Sequence, residues 1–323
     1  MLTEPTIPTM FPVRYVKNAF ISVSDGKINI YENRKIESFD KKSKSTISFV
    51  IKDDLIEHYF HFMETMIWLY AIWKEYLYER SIENIIFEFP EWSNEKQNNI
   101  QSTILSKLFP HSNKISIKEF KKIDEIHDLI IVDRSLGNSK INKFCEQSLD
   151  FAWKWAPIMK SEILSTFDLS RQNNHDKLKL IYITRNPPRY LVPQLEDKLL
   201  SDILKFGHVE KIDFSQKTPR EQMEIALNAD IMIGVHGNGL TNAFWLPPHA
   251  TLIEIFPEGV HHYDYQLFCE LLSLRYFGLE GELVYRDGSR FGPARGHDPH
   301  HNIPVEALNF KAIRNAVARS AAR

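Results

Sequence analysis

The stretch that most constrains the fold is ADIMIGVHGNGLTNAFWLPPHATLIEIF, residues 229–256. Ile231–Val235 is a short apolar run, as a buried parallel strand requires, and Thr251–Phe256 is a second one. Between them the HGNG segment breaks the first strand, a helix is predicted to start at 240–246, and two prolines stop it. The glycines permit a tight turn and close approach to the backbone, and free N–H groups after the turn suit a phosphate. An ordinary strand-to-helix turn would show the same pattern.

The residues around this stretch repeat the alternation of strand and helix. Further strands are predicted at 178–184, 208–214 and 275–279, with helices at 193–206, 219–228 and 263–274. Thr218 and Glu221 form a predicted capping box, with Pro219 at the first helical position. Five strands joined by four crossovers predict a doubly wound, Rossmann-like domain.

The amino-terminal part is also α/β, so the length of 323 residues suits two domains. Its predicted strands and helices are 14–16, 19–23, 46–51, 52–79 (helix), 85–89, 95–108 (helix), 114–117, 129–132 and 144–167 (helix, interrupted at Pro157). We predict a first α/β domain at 1–167 and a second, Rossmann-like domain at 168–290, with a polar linker at 168–177. The tail 291–323 carries a last helix at 305–321 that could pack back on the first domain.

The predicted helix 52–79 carries a polar stripe on its amino-terminal half. At 100° per residue, the stripe falls within an arc of about 120° and contains Asp54, Glu57, His58, His61, Glu64 and Thr65. One interpretation is a face that opens on a cleft, and another is a solvated face. A third is a metal site, because His58, His61 and Glu64 have a spacing that can converge on an ion.

Candidate ligand-binding residues follow the predicted strands of the second domain, where ligands bind in such sheets. Arg185 and Arg189 follow its first strand, and Glu254 lies within its fourth. After the third strand come His236, Gly237, Asn238, Gly239, Leu240, Thr241 and Asn242. Glu254 could accept hydrogen bonds from ribose hydroxyls, although a carboxylate in an apolar strand needs some partner and a structural one would also serve.

Composition excludes several classes of protein. Lys and Arg number 40 against 42 Asp and Glu, so no basic excess indicates a nucleic-acid partner. No apolar run is long enough for a membrane span, and the start lacks the pattern of a signal peptide. Two cysteines cannot make a disulfide framework. These features predict a soluble cytoplasmic protein, or one of the secretory lumen if the sequence is part of a longer chain.

Three segments together resemble glycosyltransferase family 61. HGNGLTN, followed by LPP and IEIFP, is similar to the donor-site segment of that family, usually written HGAGLTN…PP…IEI. Asn238 replaces a residue that is usually small there. ITRxxxR at 183–189 also resembles the family, and HYFHF at 58–62 is similar to its first-domain motif, with His61 at the position of the histidine. The family commonly has a carboxylate four residues later, whereas this chain has Thr65 there and Glu64 one place earlier.

The resemblance implies an inverting transferase that moves a sugar from a UDP-sugar to a hydroxyl of a glycan or glycoprotein. Xylose is the favoured sugar, with N-acetylglucosamine and arabinose as alternatives. Two Rossmann-like domains facing a cleft would form a GT-B architecture. Arg185, Arg189 and the N–H groups of 237–240 would stabilise charge on the leaving diphosphate.

The attacking hydroxyl must lose its proton to a base on the first domain. His61 is the first choice, with Glu64 and Asp54 behind it. We predict no required cofactor and leave open an assisting cation such as Mn²⁺. One rival function is a nucleotide-sugar-binding protein without turnover, which is compatible with Thr65 at the position where the family commonly has a carboxylate. The other is a metal-dependent hydrolase that uses His58, His61 and Glu64.

Overall fold

A computed structural model divides the chain into two compact units, Met1–Trp155 and Ala156–Arg323. It describes residues 13–24, 27–32, 46–52, 58–77, 81–87, 98–116, 127–133, 146–172, 177–258, 264–286 and 304–321. The α/β class with parallel sheets is confirmed. The boundary between the units lies at 155/156, within a long helix, and not at the predicted 167/168. The cleft between the domains stays a prediction.

The first unit contains one six-stranded sheet. Its strands are β1 Val13–Ser24, β2 Lys27–Glu32, β3 Thr46–Lys52, β4 Ser81–Phe87, β5 Asn113–Ser116 and β6 His127–Asp133. The order is β2-β1-β6-β3-β4-β5, and β6, β3, β4 and β5 run parallel. The two short strands predicted before residue 24 are one strand, β1, with an irregularity between Val16 and Ala19. β2 was not predicted.

Three helices belong to this part of the chain: α1 Tyr59–Tyr76, α2 Asn98–Leu108 and α3 Glu146–Thr166. α1 is buried on almost every side over its first four turns, so its apolar residues form the centre of the first core. α3 continues through Pro157, where a break was predicted. Pro157 is exposed, so water can reach the turn of the helix in which proline cannot make the usual backbone hydrogen bond.

The second unit contains a second six-stranded sheet. Its strands are β7 Leu178–Ile183, β8 Gly207–Ile212, β9 Ile231–Val235, β10 Thr251–Phe256, β11 Arg275–Glu280 and β12 Leu283–Arg286. The order is β8-β7-β9-β10-β11-β12, and all strands but β12 are parallel. The five parallel strands therefore have the doubly wound order 2-1-3-4-5. β12 lies in a segment predicted as a loop.

The helices of the second unit are α4 Pro193–Ile203, α5 Pro219–Leu227, α6 Asp264–Leu271 and α7 Phe310–Ala321, with a 3₁₀ helix at Asn238–Trp245. The predicted capping box of Thr218 and Glu221 is confirmed. None of the helices that the structure describes is long and apolar enough to cross a membrane.

The carboxy-terminal helix α7 packs within the second unit. Ile313, Ala316 and Val317 join the core that β7, β9 and β10 build, and Ser320 Oγ lies 2.5 Å from Thr251 Oγ1. Packing of this helix on the first domain, which the sequence suggested, stays a prediction. Its apolar stripe packs beside α4 and β10.

Candidate functional site

The candidate site of the second unit lies where its strand order reverses. β7 and β9 are neighbours in the sheet, and the chain leaves β7 toward β8 on one side and leaves β9 toward β10 on the other. Arg185 follows β7 and His236 follows β9, so both lie at the carboxyl edge beside this switch point. Crevices of this kind are the usual ligand sites of doubly wound sheets. The structure thus brings together two residues that are 51 positions apart in sequence.

The contact between these two segments is direct. Arg185 Nη1 donates a hydrogen bond to the carbonyl oxygen of His236. Gly237 has a φ of +153°, and a Cβ atom added to it would lie 1.4 Å from Arg185 Nη1. No residue but glycine fits there without displacing the guanidinium group. The sequence predicted close approach to the backbone at this turn, and the group that approaches Gly237 is the side chain of Arg185.

His236 is held by a chain of buried hydrogen bonds that runs through Glu254 to Tyr276. Its Nδ1 lies 2.6 Å from Glu254 Oε1, and Tyr276 donates to Glu254 Oε2 at 2.8 Å. The imidazole also stacks on Phe256, with ring centroids 5.4 Å apart. Glu254 has no exposed surface, and both of its oxygens are engaged by protein groups. A contact between Glu254 and a ribose, which the sequence suggested, is therefore excluded by burial, and Glu254 instead fixes His236.

The electrostatics of this cluster follow from burial. Burial lowers the pKa of His236 to about 4, the cations Arg189 and Arg185 act in the same direction, and Asp264 opposes them. The imidazole is therefore neutral at physiological pH, and its Nδ1–H donates to the Glu254 carboxylate. Burial, followed by repulsion from Arg189, lowers the pKa of Arg185 to about 10. Arg185 still carries its charge at neutral pH, so the crevice is electropositive.

Arg189 adds a second guanidinium group to the site. It is half-buried, and its Nε is enclosed without a hydrogen-bond acceptor among the described residues. Repulsion between two guanidinium groups is relieved when an anion binds to both, because each then gains an opposite charge. The arrangement of Arg185 and Arg189 thus suits an anionic ligand that has several acceptor oxygens.

The segment after Gly237 is a 3₁₀ helix and not the predicted α-helix. The Leu240 N–H donates to the Gly237 carbonyl at 2.8 Å, so it is not available to a phosphate. Asn238 is exposed and Gly239 half-buried, whereas Leu240, Thr241 and Asn242 point inward. Asn242 Nδ2 donates to Gln222 Oε1 and to the Gly239 carbonyl, both at 3.2 Å. Within the predicted run after His236, Asn238 and Gly239 are therefore the more accessible residues, and the hydrogen bonds of Asn242 help to hold the turn in place.

The first-unit candidates lie at the start of α1, which follows β3. His61 Nδ1 is 3.5 Å from Glu64 Oε2, and these side chains are 19% and 9% exposed. Glu64 and Thr65 are both buried, so the predicted polar stripe does not form one open face. Asp54 lies outside the described residues. His58 contacts His61 edge to face, with centroids 6.0 Å apart.

A metal centre built on His58, His61 and Glu64 gains no support from these positions. Among the described ranges, no group of three or more His, Cys, Asp or Glu side chains is arranged to hold a metal ion. The histidine-rich loops around 261 and 297–301 lie outside those ranges.

Sequence reasoning missed Tyr276, which completes the chain from His236 through Glu254. The signal for it was present, because a carboxylate in an apolar strand requires a polar partner on a neighbouring strand. Tyr276 lies on the adjacent strand β11, and Gly278 follows two residues later. A Cβ at Gly278 would lie 2.7 Å from the Tyr276 hydroxyl, so this glycine makes room for the contact.

The Glycosyltransferase 61 family model matches residues 59–253, well over half of the chain. The chain is 49% identical over 53 residues to alpha-1,3-arabinosyltransferase XAT3 of Oryza sativa subsp. japonica, across 15% of this chain and 9% of that protein. It is 29% identical over 152 residues to the EGF domain-specific O-linked N-acetylglucosamine transferase of Drosophila melanogaster, across 46% of this chain and 28% of the relative. These matches thus span less than a third of each curated relative.

Among solved structures, the chain is similar to the dodecameric iron-containing heptosyltransferase TibC in complex with ADP-D-beta-D-heptose. The TM-score is 0.40 with 13% identity, over 99% of this chain and 96% of the other. A likeness at this level supports no conclusion about substrate or mechanism.

Proposed function

Because the chain belongs to the glycosyltransferase 61 family, we propose that it is an inverting glycosyltransferase that moves a sugar from a UDP-sugar to a hydroxyl of a glycan or glycoprotein. The observation that carries this proposal is the contact of Arg185 with Gly237 and the His236 carbonyl at the switch point of the second sheet. It supplies a fixed cation where a doubly wound sheet binds its ligand.

In the proposed reaction, negative charge develops on the diphosphate as the glycosidic bond breaks. Arg185 and Arg189 stabilise that charge, and they do so more effectively in the half-buried crevice than in water. His236 is a positioning residue, because its carbonyl oxygen anchors Arg185 while its neutral ring is held by Glu254. Asn238 is exposed at the turn that follows His236, and the backbone N–H groups of 238–239 are candidate donors to the phosphate.

On the first unit, His61 accepts the proton of the attacking hydroxyl, and Glu64 orients its imidazole. Asp54 stays a candidate for the same role from the sequence alone. The donor sugar is xylose by the sequence resemblance, and arabinose and N-acetylglucosamine are the alternatives. The two curated relatives are named for these last two sugars. No cofactor is required in this scheme, and a divalent cation such as Mn²⁺ is left as an assisting ion.

A nucleotide-sugar-binding protein without turnover is the second candidate. Thr65 favours it, because a buried threonine stands where the family commonly has a carboxylate. Binding and turnover measured on one sample separate the two candidates. Calorimetric titration with UDP, UDP-xylose, UDP-arabinose and UDP-N-acetylglucosamine, with and without Mn²⁺, gives donor and metal dependence. Release of UDP in the presence of an acceptor glycan gives turnover.

Substitution of Arg185 tests the site itself. We expect Arg185→Ala to weaken UDP binding by about 1.5–3 kcal/mol, the range for a hydrogen bond to a charged group. Arg220→Ala is the matched control, since Arg220 also donates to a backbone carbonyl in the second unit but lies on α5, away from the switch point. Equal UDP affinity in the two variants would remove Arg185 from the donor site.

A further inference from the structure

The second unit has a cavity of about 490 Å³ at the opposite edge of its sheet. Four chain segments line it, and each of them precedes the start of a strand: the end of α3 with the loop before β7, the end of α5 before β9, the Pro247-Pro248 pair before β10, and the end of α6 before β11. The cavity therefore lies at the amino edge of the parallel strands, whereas Arg185 and His236 lie at the carboxyl edge. It is a separate site with its own chemistry.

Most of the cavity wall is apolar. Leucine and proline side chains form it, from Pro157, Leu164, Leu169, Leu227, Pro247, Pro248 and Leu272. A volume of about 490 Å³ is in the range of small-molecule sites, which combine a largely apolar wall with a few placed polar groups. A molecule that fills this cavity would therefore be mainly hydrocarbon.

Lys160 is the buried charged residue among those that line the cavity. Lys160 is 7% exposed, and its Nζ donates to the Leu246 carbonyl oxygen. An ammonium group has three donors, and this contact uses one of them. Among the described residues Lys160 forms no ion pair. The other charged groups at the cavity are Asp168, which is exposed, and Arg171, which is paired with Asp230 at 2.6 Å.

Burial of a charged lysine without a counter-charge costs free energy, because the ammonium group loses its hydration. Burial lowers the pKa of Lys160 to about 7, so the ammonium and amine forms are both populated at neutral pH. An anionic group placed beside Nζ would favour the ammonium form and remove the imbalance. A single negative charge suffices, because there is one cation to neutralise.

We propose that this cavity binds a compact apolar molecule that carries one carboxylate, with the carboxylate paired to Lys160 and the hydrocarbon against the leucine and proline wall. The site is unsuited to a nucleotide diphosphate, because Arg171 is already paired with Asp230 and Lys160 is then the one cation among the described lining residues without an ion pair, in a mostly apolar wall. The ligand class is an aliphatic or aromatic monocarboxylate, independent of which sugar the other edge of the sheet accepts.

Calorimetric titration of the whole protein with decanoate tests this, with decanol as the uncharged probe of equal chain length. We expect one decanoate per chain and weaker binding of decanol. Lys160→Met keeps the length of the side chain but removes the charge, and should weaken decanoate binding by about 10- to 100-fold. Lys154→Met is the matched control, because Lys154 lies on the same helix but is exposed and paired with Glu75 at 2.5 Å.

Proton uptake gives a second, direct measure of the same contact. At pH 8 Lys160 is largely the neutral amine, so a bound carboxylate draws a proton onto it. The binding enthalpy should then differ between phosphate and Tris buffers in proportion to the protons taken up, and the difference should vanish in Lys160→Met. The variant also separates Lys160 from Asp168 and the Arg171–Asp230 pair, which it leaves unchanged.

Three results would overturn the inference: no saturable decanoate binding, equal affinity for decanoate and decanol, or unchanged affinity in Lys160→Met. If Lys160→Met does not fold, Ser165→Trp serves in its place, because Ser165 is exposed and lines the cavity. The indole should fill the cavity and abolish decanoate binding in a protein of unchanged circular dichroism. Retained binding in that variant would place decanoate elsewhere and reject the site.

Discussion

The two regions proposed to carry the reaction occupy equivalent places in their sheets but are held very differently. His61 lies in the first turn of α1, which follows β3 at the switch point between β3 and β6, and Arg185 follows β7 at the switch point between β7 and β9. Arg185 is fixed by its hydrogen bond to the His236 carbonyl, and it lies against Gly237, where a larger residue would displace it. His61 has Glu64 at 3.5 Å, longer than a normal hydrogen bond.

This difference corresponds to two kinds of work. A group that stabilises charge on a leaving diphosphate is effective when its position is set before the substrate arrives, because it then needs no reorganisation. A general base can tighten its contacts in the complex with substrate, so a loose contact in the free protein is compatible with the role. We therefore expect changes at the first region to affect turnover, and changes at the second to affect binding and stability.

The largest effect should come from His61→Ala. Loss of a general base should lower turnover by about 10²- to 10⁴-fold, while UDP affinity stays unchanged because His61 is on the other unit. UDP release assays and calorimetry on the same sample measure both quantities. His111→Ala is the control, because His111 is an exposed histidine of the same unit. Full activity in His61→Ala would clear this residue of the base role.

Gly237→Ala should have the next largest effect, on binding and folding together. Its Cβ would overlap Arg185 Nη1, and the φ of +153° is strained for alanine. We expect the free energy of unfolding to fall by about 2–4 kcal/mol, from overpacking and backbone strain, and UDP binding to be lost as the guanidinium moves. Urea denaturation and UDP titration measure the two effects.

Gly281→Ala provides the matched control for Gly237→Ala. Gly281 also has a positive φ, +53°, but nothing lies within 4 Å of an added Cβ. It therefore reports the strain of a left-handed φ, which is milder than the strain at +153°, without the clash. If the two variants lost the same stability and both kept UDP affinity, the contact between Arg185 and Gly237 would have no role in the donor site.

The same two regions show what the sequence could predict. The apolar runs and the glycine turn located β9 and β10, and the order of helices and strands predicted the Rossmann-like class. The position of Arg185 after a strand placed it at the carboxyl edge of the second sheet, where the structure has it. These features depend on local pattern. Glu254 was assigned to a ligand because a lone strand does not reveal its neighbours, and its partners His236 and Tyr276 come from β9 and β11.

Two other errors have the same origin in tertiary contacts. Helical periodicity placed Glu64 and Thr65 on a polar face, but α1 is covered on nearly every side, so both residues are buried. The run after Gly237 has the composition of an α-helix start, yet it folds as a 3₁₀ helix whose Asn242 is tied to Gln222 on α5. Burial and pairing between distant elements override local preference in each case.

The smallest of the expected effects is that of Glu254→Gln, which tests whether the buried hydrogen bonds of Glu254 hold the second region in place. The amide keeps the shape of the side chain but removes the charge that accepts from His236 Nδ1–H and the Tyr276 hydroxyl. We expect a loss of about 1.5–3 kcal/mol in the free energy of unfolding, as for hydrogen bonds to a charged group. UDP should bind more weakly because the His236 carbonyl no longer anchors Arg185 firmly.

Glu210→Gln is the control for Glu254→Gln, since the pair of Glu210 with Lys179 is at the surface at 3.7 Å and should contribute about 0–1 kcal/mol. Equal stability loss in both variants would mean that the charge of Glu254 does not hold His236, whose ring also packs on Phe256 and Tyr265. The greater rigidity of the second region would then need another cause than its buried hydrogen bonds.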